Sequence, residues 1–212
     1  MARPVFLDVD NTLLDNDAAK AALASRIARS VTADSARRFW ELYEAVRAEE
    51  GFIDFPSTVE RLRASQPGDA ARIATVLEEL PYREFIYPGA LAMIERLWRA
   101  WTPVILSDGD PVFQPRKIDR AGLAAAVRGN VLVFVHKERE LDTATARFPG
   151  DRPAFVDDKA RILGHIERLR PDAITVHVRQ GSYSLEPMDR GDPAPDIAIR
   201  GIAELDTALQ GR

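Results

Sequence analysis

The sequence predicts a doubly wound α/β protein, a parallel sheet covered by helices on both faces, with an all-helical block inserted after its first strand. Three observations predict it. From about residue 86 onward, near-continuous apolar runs alternate with segments of helical period, the pattern of strands buried on both faces. Several of those runs end in acidic, hydroxyl or basic residues. Between residues 15 and 85 nothing resembles a strand of any length, whereas helical spacing recurs.

Residues 4–9 read as the first buried strand, by apolar content and β-branching. In the helical block, Leu23, Ile27 and Val31 fall four apart. Ala36, Phe39, Trp40, Tyr43 and Val46 follow one helical face, and Ile73, Val76, Leu77 and Leu80 another. Gly51, Pro56, Pro67 and Gly68 punctuate them. After "YPG" at 87–89, Leu91, Ile94, Leu97, Trp98 and Trp101 make a helix face, and "PVILSD" is a strand running into a polar turn. Ile118, Ala121 and Ala125 mark a helix, "NVLVFV" at 130–135 a strand, and "AFVDD" at 154–158 a strand meeting two acids. Ile162, Ile166 and Leu169 form the next helix, "AITVHV" at 173–178 a further strand, and Ile202, Leu205 and Leu209 a closing helix. The expected division is a core of residues 1–14 and 86–212 around a helical block of 15–85.

Composition narrows the function classes. The chain has 212 residues, 46% apolar and 29% charged, as ordinary globular proteins do. A formal charge of -4 argues against nucleic acid as a partner, since phosphate-backbone binding needs a basic face. There is no cysteine, which excludes disulfides and thiolate metal sites. No apolar segment approaches membrane-spanning length, and the start of the sequence lacks a signal-peptide pattern, so the expectation is a cytoplasmic protein with no membrane partner. Oligomeric state leaves no trace in the sequence.

Ligands of such sheets bind beyond the carboxyl ends of the strands. The first strand runs into Asp8 and Asp10, the second into Ser107, Asp108 and Gly109, the third into His136 and Lys137, and the fourth into Asp157 and Asp158. While the backbone is extended, Asp8 and Asp10 share one face with Cα atoms about 6–7 Å apart. Carboxylates so close to another acidic pair repel unless a cation sits among them, and an all-oxygen donor set suits Mg²⁺. Read singly, each feature has a plainer explanation: a polar turn at Asp8–Thr12, helix capping by Ser107 and by the 157–158 pair. Lys137, directly after a buried strand, is the lysine expected at the site. Lys117 lies on a helix well past its strand, and Lys159 reads as a counter-charge to the acidic pair. His136, His165 and His177 show no ligand spacing.

In order, "DVDNT" (8–12), "VILSDG" (104–109), Lys137 and "FVDD" (155–158) resemble the four motifs of the haloacid dehalogenase (HAD) superfamily, in its phosphatase branch. The likeness covers nearly the whole chain, and the helical block resembles a type C1 cap. It implies a HAD-like Rossmannoid core and a Mg²⁺-dependent phosphatase of a small phosphorylated metabolite. Asp8 would be the nucleophile giving an aspartyl-phosphate, and Asp10 the proton donor and then acceptor. Ser107 and Lys137, with Asp108 and Gly109 beside them, would bind the phosphoryl group. Mg²⁺ would be held by Asp8, the Asp10 backbone carbonyl, and Asp157 or Asp158. The sequence departs from the usual pattern with Asp108 where Asn is frequent, and with no acid a few residues after Asp158. A dehalogenase, a phosphomutase or a non-catalytic phospholigand- or protein-binding module are the alternatives.

Overall fold

Runs dominated by β-branched, aromatic and aliphatic residues make the strands. In the computed structural model, which describes residues 3–212, six of them form one sheet: β1 (Arg3–Leu7), β2 (Trp101–Asp108), β3 (Val131–Phe134), β4 (Ala154–Asp157), β5 (Ile174–Val178) and β6 (Ile197–Ile199). Residues 1 and 2, assigned above to the core, lie outside the described residues. Every pairing is parallel, in the order β3-β2-β1-β4-β5-β6. The chain winds outward from β1 to one side and from β4 to the other. That reversal opens a crevice at the carboxyl ends of the two central strands.

Four helices make the block that follows β1: α1 (Asn16–Ser30), α2 (Ala33–Glu50), α3 (Phe55–Arg63) and α4 (Pro67–Glu79). Local chemistry sets their ends. Asp15, Thr32 and Asp54 accept from the backbone N–H groups of Ala18, Ser35 and Ser57, and Gly51 closes α2 in a left-handed conformation. Covering the sheet are α5 (Ala90–Leu97), α6 (Phe113–Arg120), α7 (Leu123–Ala126), α8 (Leu141–Arg147), α9 (Ala160–Leu169) and α10 (Leu205–Ala208).

Strand alternation divides the core. Val5, Leu7, Ile105, Val156 and Val176 pack on one face with Met93, Ile94 and Leu97 of α5, while Phe6, Val104, Leu106 and Phe155 pack on the other with Leu163 and Ile166 of α9. The first cluster continues without a break into Leu23, Ile27, Phe39, Leu62 and Ile73 of the helical block. Among the described residues, no helix is long and apolar enough to cross a membrane.

Three expectations shift. Trp101 opens β2 opposite Arg3 instead of completing the face of α5, because the helix ends at Leu97 and the Arg3 guanidinium lies 4.3 Å over the indole. The closing helix is split into a 3₁₀ turn at Ile202–Glu204 and α10. The first strand stops at Leu7, two residues early, because the carbonyl of Val9 collects the N–H groups of Thr12, Leu13 and Leu14 in a tight turn.

Candidate active site

The two acids after β1 stand at the entry to a tight turn. Asn11 takes a positive φ of 61°, a conformation asparagine tolerates, and its Oδ1 accepts from the N–H groups of Asn16 (3.0 Å) and Asp17 (3.2 Å). Upstream of Asn11, the Asp8 N–H still donates to the Val156 carbonyl at 3.0 Å, and only Val9 separates Asp8 from Asp10. Asp8 accepts a hydrogen bond from the ammonium of Lys137, and Asp10 from that of Lys117.

Lys137 begins a short 3₁₀ turn just beyond β3, with its side chain only 4% exposed. Its Nζ lies 2.7 Å from Asp157 Oδ2 and 3.8 Å from Asp108 Oδ2. Its backbone N–H donates to Asp108 Oδ1 at 2.7 Å, so the carboxylate of Asp108 is turned onto the Lys137 loop. Asp157 is satisfied on both oxygens, because Oδ1 accepts from the Lys159 N–H at 2.8 Å.

The charges in this cluster are unequal. Burial pushes the Asp8 carboxyl up to about 7, against the pull of Lys137. At Asp157 burial also opposes ionisation, but Lys137 and Lys159 outweigh it and hold that carboxyl below its ordinary range. Burial opposes the Lys137 charge too, and Asp157, Asp8 and Asp108 overcome it, keeping the ammonium well above its usual value.

Asp158 is different. It is fully buried, and among the described residues neither carboxylate oxygen has a hydrogen-bond partner. Burial, then Asp157, then Asp8 push its carboxyl up to about 9. Buried polar groups are nearly always partnered, and an orphaned carboxylate is expensive. Asp8, Asp157 and Asp158 offer oxygens within 4.8 Å of one another. This all-carboxylate set can hold a hard divalent cation, which would supply the partner that Asp158 lacks.

Ser107 is buried near the end of β2, and its Oγ accepts from Gln114 Nε2 at 3.0 Å. It does not cap α6. Asp110 Oδ1 does that work, accepting from the N–H groups of Val112 (2.9 Å) and Phe113. Gly109 has φ 147°, and a Cβ there would lie 3.0 Å from Gln114 Cβ.

Two residues that the sequence reading passed over meet Asp10. Lys117, dismissed as remote, has a side chain only 6% exposed; it donates to Asp10 and to Asn16 Oδ1 at 2.8 Å. Gln114 Nε2 lies 3.2 Å from Asp10 Oδ2. A signal was present: Gln114, Lys117, Ile118 and Ala121 occupy the i, i+3, i+4, i+7 positions of a buried stripe, where two polar side chains need partners. His136 and Lys159 also line the cavity above the site. His177 makes a 3.0 Å hydrogen bond with the backbone carbonyl of Asp158.

That cavity, of about 330 Å³, is lined by Tyr43, Phe52 and Phe55 of the helical block and by Asp10, Asp108 and Lys117 opposite. The loop after α2 reaches it, whereas Arg61 is turned away into a 2.6 Å ion pair with Glu49.

The sequence matches no family model and no curated protein. Solved structures do match. A protein from Burkholderia xenovorans LB400 assigned to the haloacid dehalogenase-like hydrolases is 38% identical, with 98% of this chain and 96% of that one covered at a TM-score of 0.87. L-2-haloacid dehalogenase from Xanthobacter autotrophicus, with chloropropionic acid covalently bound, shares the fold at 17% identity, covering 100% and 99% at a TM-score of 0.66. A HAD hydrolase from Bacillus subtilis bound to magnesium does so at 17% identity, covering 99% of each chain at a TM-score of 0.64.

Proposed function

The chain belongs to the haloacid dehalogenase-like hydrolases, and we propose that within them it is a Mg²⁺-dependent phosphatase of a small phosphorylated metabolite, working through an aspartyl-phosphate. The observation that carries this reading is the buried, unpartnered carboxylate of Asp158 beside Asp8 and Asp157. Asp8 and Asp158 would hold the ion through their carboxylates and Asp10 through its backbone carbonyl, while Asp157 stays tied to Lys137 and Lys159. When bound, Mg²⁺ neutralises the acids and polarises the phosphoryl oxygens.

The chain's own residues do the rest. The Asp8 carboxylate attacks phosphorus in line, and its burial strips the water that would blunt it. Lys137 and Ser107 hold the phosphoryl oxygens; the ammonium, already fixed among carboxylates, needs no reorganisation as charge develops. Asp10 protonates the departing oxygen and later takes a proton from the water that cleaves the acyl phosphate. One such proton transfer is worth about 10²–10⁴-fold, a small part of what phosphate-monoester hydrolysis requires, so fixed charge and the covalent route must supply more. Residues 15–85 act as the cap. A cavity of about 330 Å³ beneath aromatic cap residues suits a small ester better than a macromolecular phosphate.

Halide displacement, the reaction of the dehalogenase relatives, requires neither a proton donor nor a cation. It would leave Asp10 with no leaving oxygen to protonate and Asp158 with no cation to partner it. The deciding measurement is hydrolysis of para-nitrophenyl phosphate with Mg²⁺ and with chelator. Turnover that needs the ion is expected; chelator-insensitive release of halide from a 2-haloacid, without phosphatase turnover, would reverse the assignment.

A further inference from the structure

We propose that Lys117 and Gln114 are positioning residues for Asp10, a clamp from α6 that fixes which carboxyl oxygen carries the travelling proton. The proposal rests on the phosphatase reading above and extends it to two side chains that touch neither the acidic cluster nor the phosphoryl position directly.

The Lys117 ammonium occupies Asp10 Oδ1, and is itself anchored by Asn16 Oδ1 at 2.8 Å. The other oxygen, Oδ2, lies 3.2 Å from Gln114 Nε2, and the same amide nitrogen lies 3.0 Å from Ser107 Oγ. One side chain therefore bridges the group that holds the phosphoryl oxygens and the oxygen that must serve the leaving group. With Oδ1 engaged by an ammonium, the mobile proton belongs on Oδ2. In the first step Oδ2–H gives its proton to the ester oxygen as the P–O bond breaks. In the second, Oδ2 takes a proton from water as that water's oxygen bonds to phosphorus and the bond to Asp8 breaks. A free carboxyl would sample rotamers that face neither partner; holding it in place saves that search at each step.

The clamp is built into the fold. Gln114 and Lys117 stand three apart on one face of α6, and both are at least nine-tenths buried. Gly109, having no side chain, leaves the space that Gln114 fills.

The test compares phenyl and para-nitrophenyl phosphate, alike in shape but unlike in leaving-group basicity, with Mg²⁺ present. Help from a proton donor matters most for the more basic phenoxide. Lys117→Met and Gln114→Met should lower kcat for phenyl phosphate about 10–100-fold, and for the nitrophenyl ester several-fold less, with KM held within about twofold. Lys117→Arg, which can still donate to Oδ1, should recover part of the loss. In an Asp10→Asn background Lys117→Met should cost almost nothing more, because its effect runs through Asp10. Equal losses on both esters, or a full additional loss in the Asp10→Asn background, would overturn the clamp while leaving the phosphatase intact. An Asp10→Asn variant with no leaving-group dependence would instead remove Asp10 as proton donor. Failure of the unmodified protein to hydrolyse either ester would sink the phosphatase reading itself. If Lys117→Met does not fold, the volume-conserving Gln114→Met carries the same comparison.

Discussion

Asp8 and Asp10 are two residues apart, and each holds a buried lysine, but the two pairs are built differently. The inner pair, Asp8–Lys137, is sealed: its side chains are 9% and 4% exposed, and Lys137 also serves Asp157. In the outer pair, Lys117 is equally buried but Asp10 is 29% exposed and borders the cavity. A nucleophile gains from exclusion of water, whereas a group that trades protons with substrate and solvent needs one open side. Only Val9 stands between the two acids in the chain.

The largest effect expected from breaking this contrast is chemical. Asp8→Asn should lower hydrolysis of para-nitrophenyl phosphate by ~10⁴-fold or more with an unchanged circular dichroism spectrum, whereas Asp10→Asn should cost about 10²–10⁴-fold. Retained turnover in Asp8→Asn would mean the inner pair is structural.

Stability separates the pairs next. Lys137→Met strands the Asp8 and Asp157 carboxylates and should cost ~3–5 kcal/mol in denaturant unfolding at neutral pH, as breaking a buried pair does. Lys117→Met strands one half-open carboxylate and should cost about 1–2 kcal/mol. Equal costs would erase the distinction.

Acidity sharpens it further. The Asp158 carboxyl, raised to about 9 in the folded chain, binds a proton that the unfolded chain has already released above about pH 4. The metal-free protein should therefore lose stability as pH climbs from about 4 to 9, and Asp8, raised to about 7, adds to the lower part of that window. Asp158→Asn should flatten the slope between about 7 and 9, raise the metal-free melting temperature at pH 8, and abolish the stabilisation that Mg²⁺ gives the parent protein. A slope unaltered by Asp158→Asn would count against the cation site.

The smallest effect belongs to a pair outside the site. Arg96 and Asp206 join α5 to α10 at 2.6 Å, and the guanidinium holds the Asp206 carboxyl below its usual range. Arg96 is 40% exposed, so Arg96→Ala should cost at most about 0.5–1 kcal/mol. That contribution should be present above about pH 4 and fade as acid is added below it.

Much of this architecture is legible in the sequence. Parallel strands buried on both faces must read as apolar runs, and the polar residue closing each run must lie at the same edge of the sheet; Asp8, Ser107, Lys137 and Asp157 stand there for that reason. Lys117 and Gln114 escape the same logic because a helix residue's direction depends on how the helix docks, not on where a strand stops. Trp101 escapes because three residues past Trp98 fits a helix face as well as a strand start. Which lysine each of Asp8 and Asp10 meets could not be read either, since one comes from a turn after β3 and the other from a helix whose docking the local sequence leaves open.

The space beside Gly109 has a consequence for how such proteins can diverge. A Cβ there would lie 3.0 Å from Gln114 Cβ and 3.1 Å from its Cγ, and a φ of 147° strains any L side chain, so the seat of Gln114 depends on glycine at 109. A descendant that acquires alanine at 109 would push Gln114 aside, and with it the strut between serine and proton carrier. Relatives with a side chain at that position would be expected to differ in which alcohols they can release.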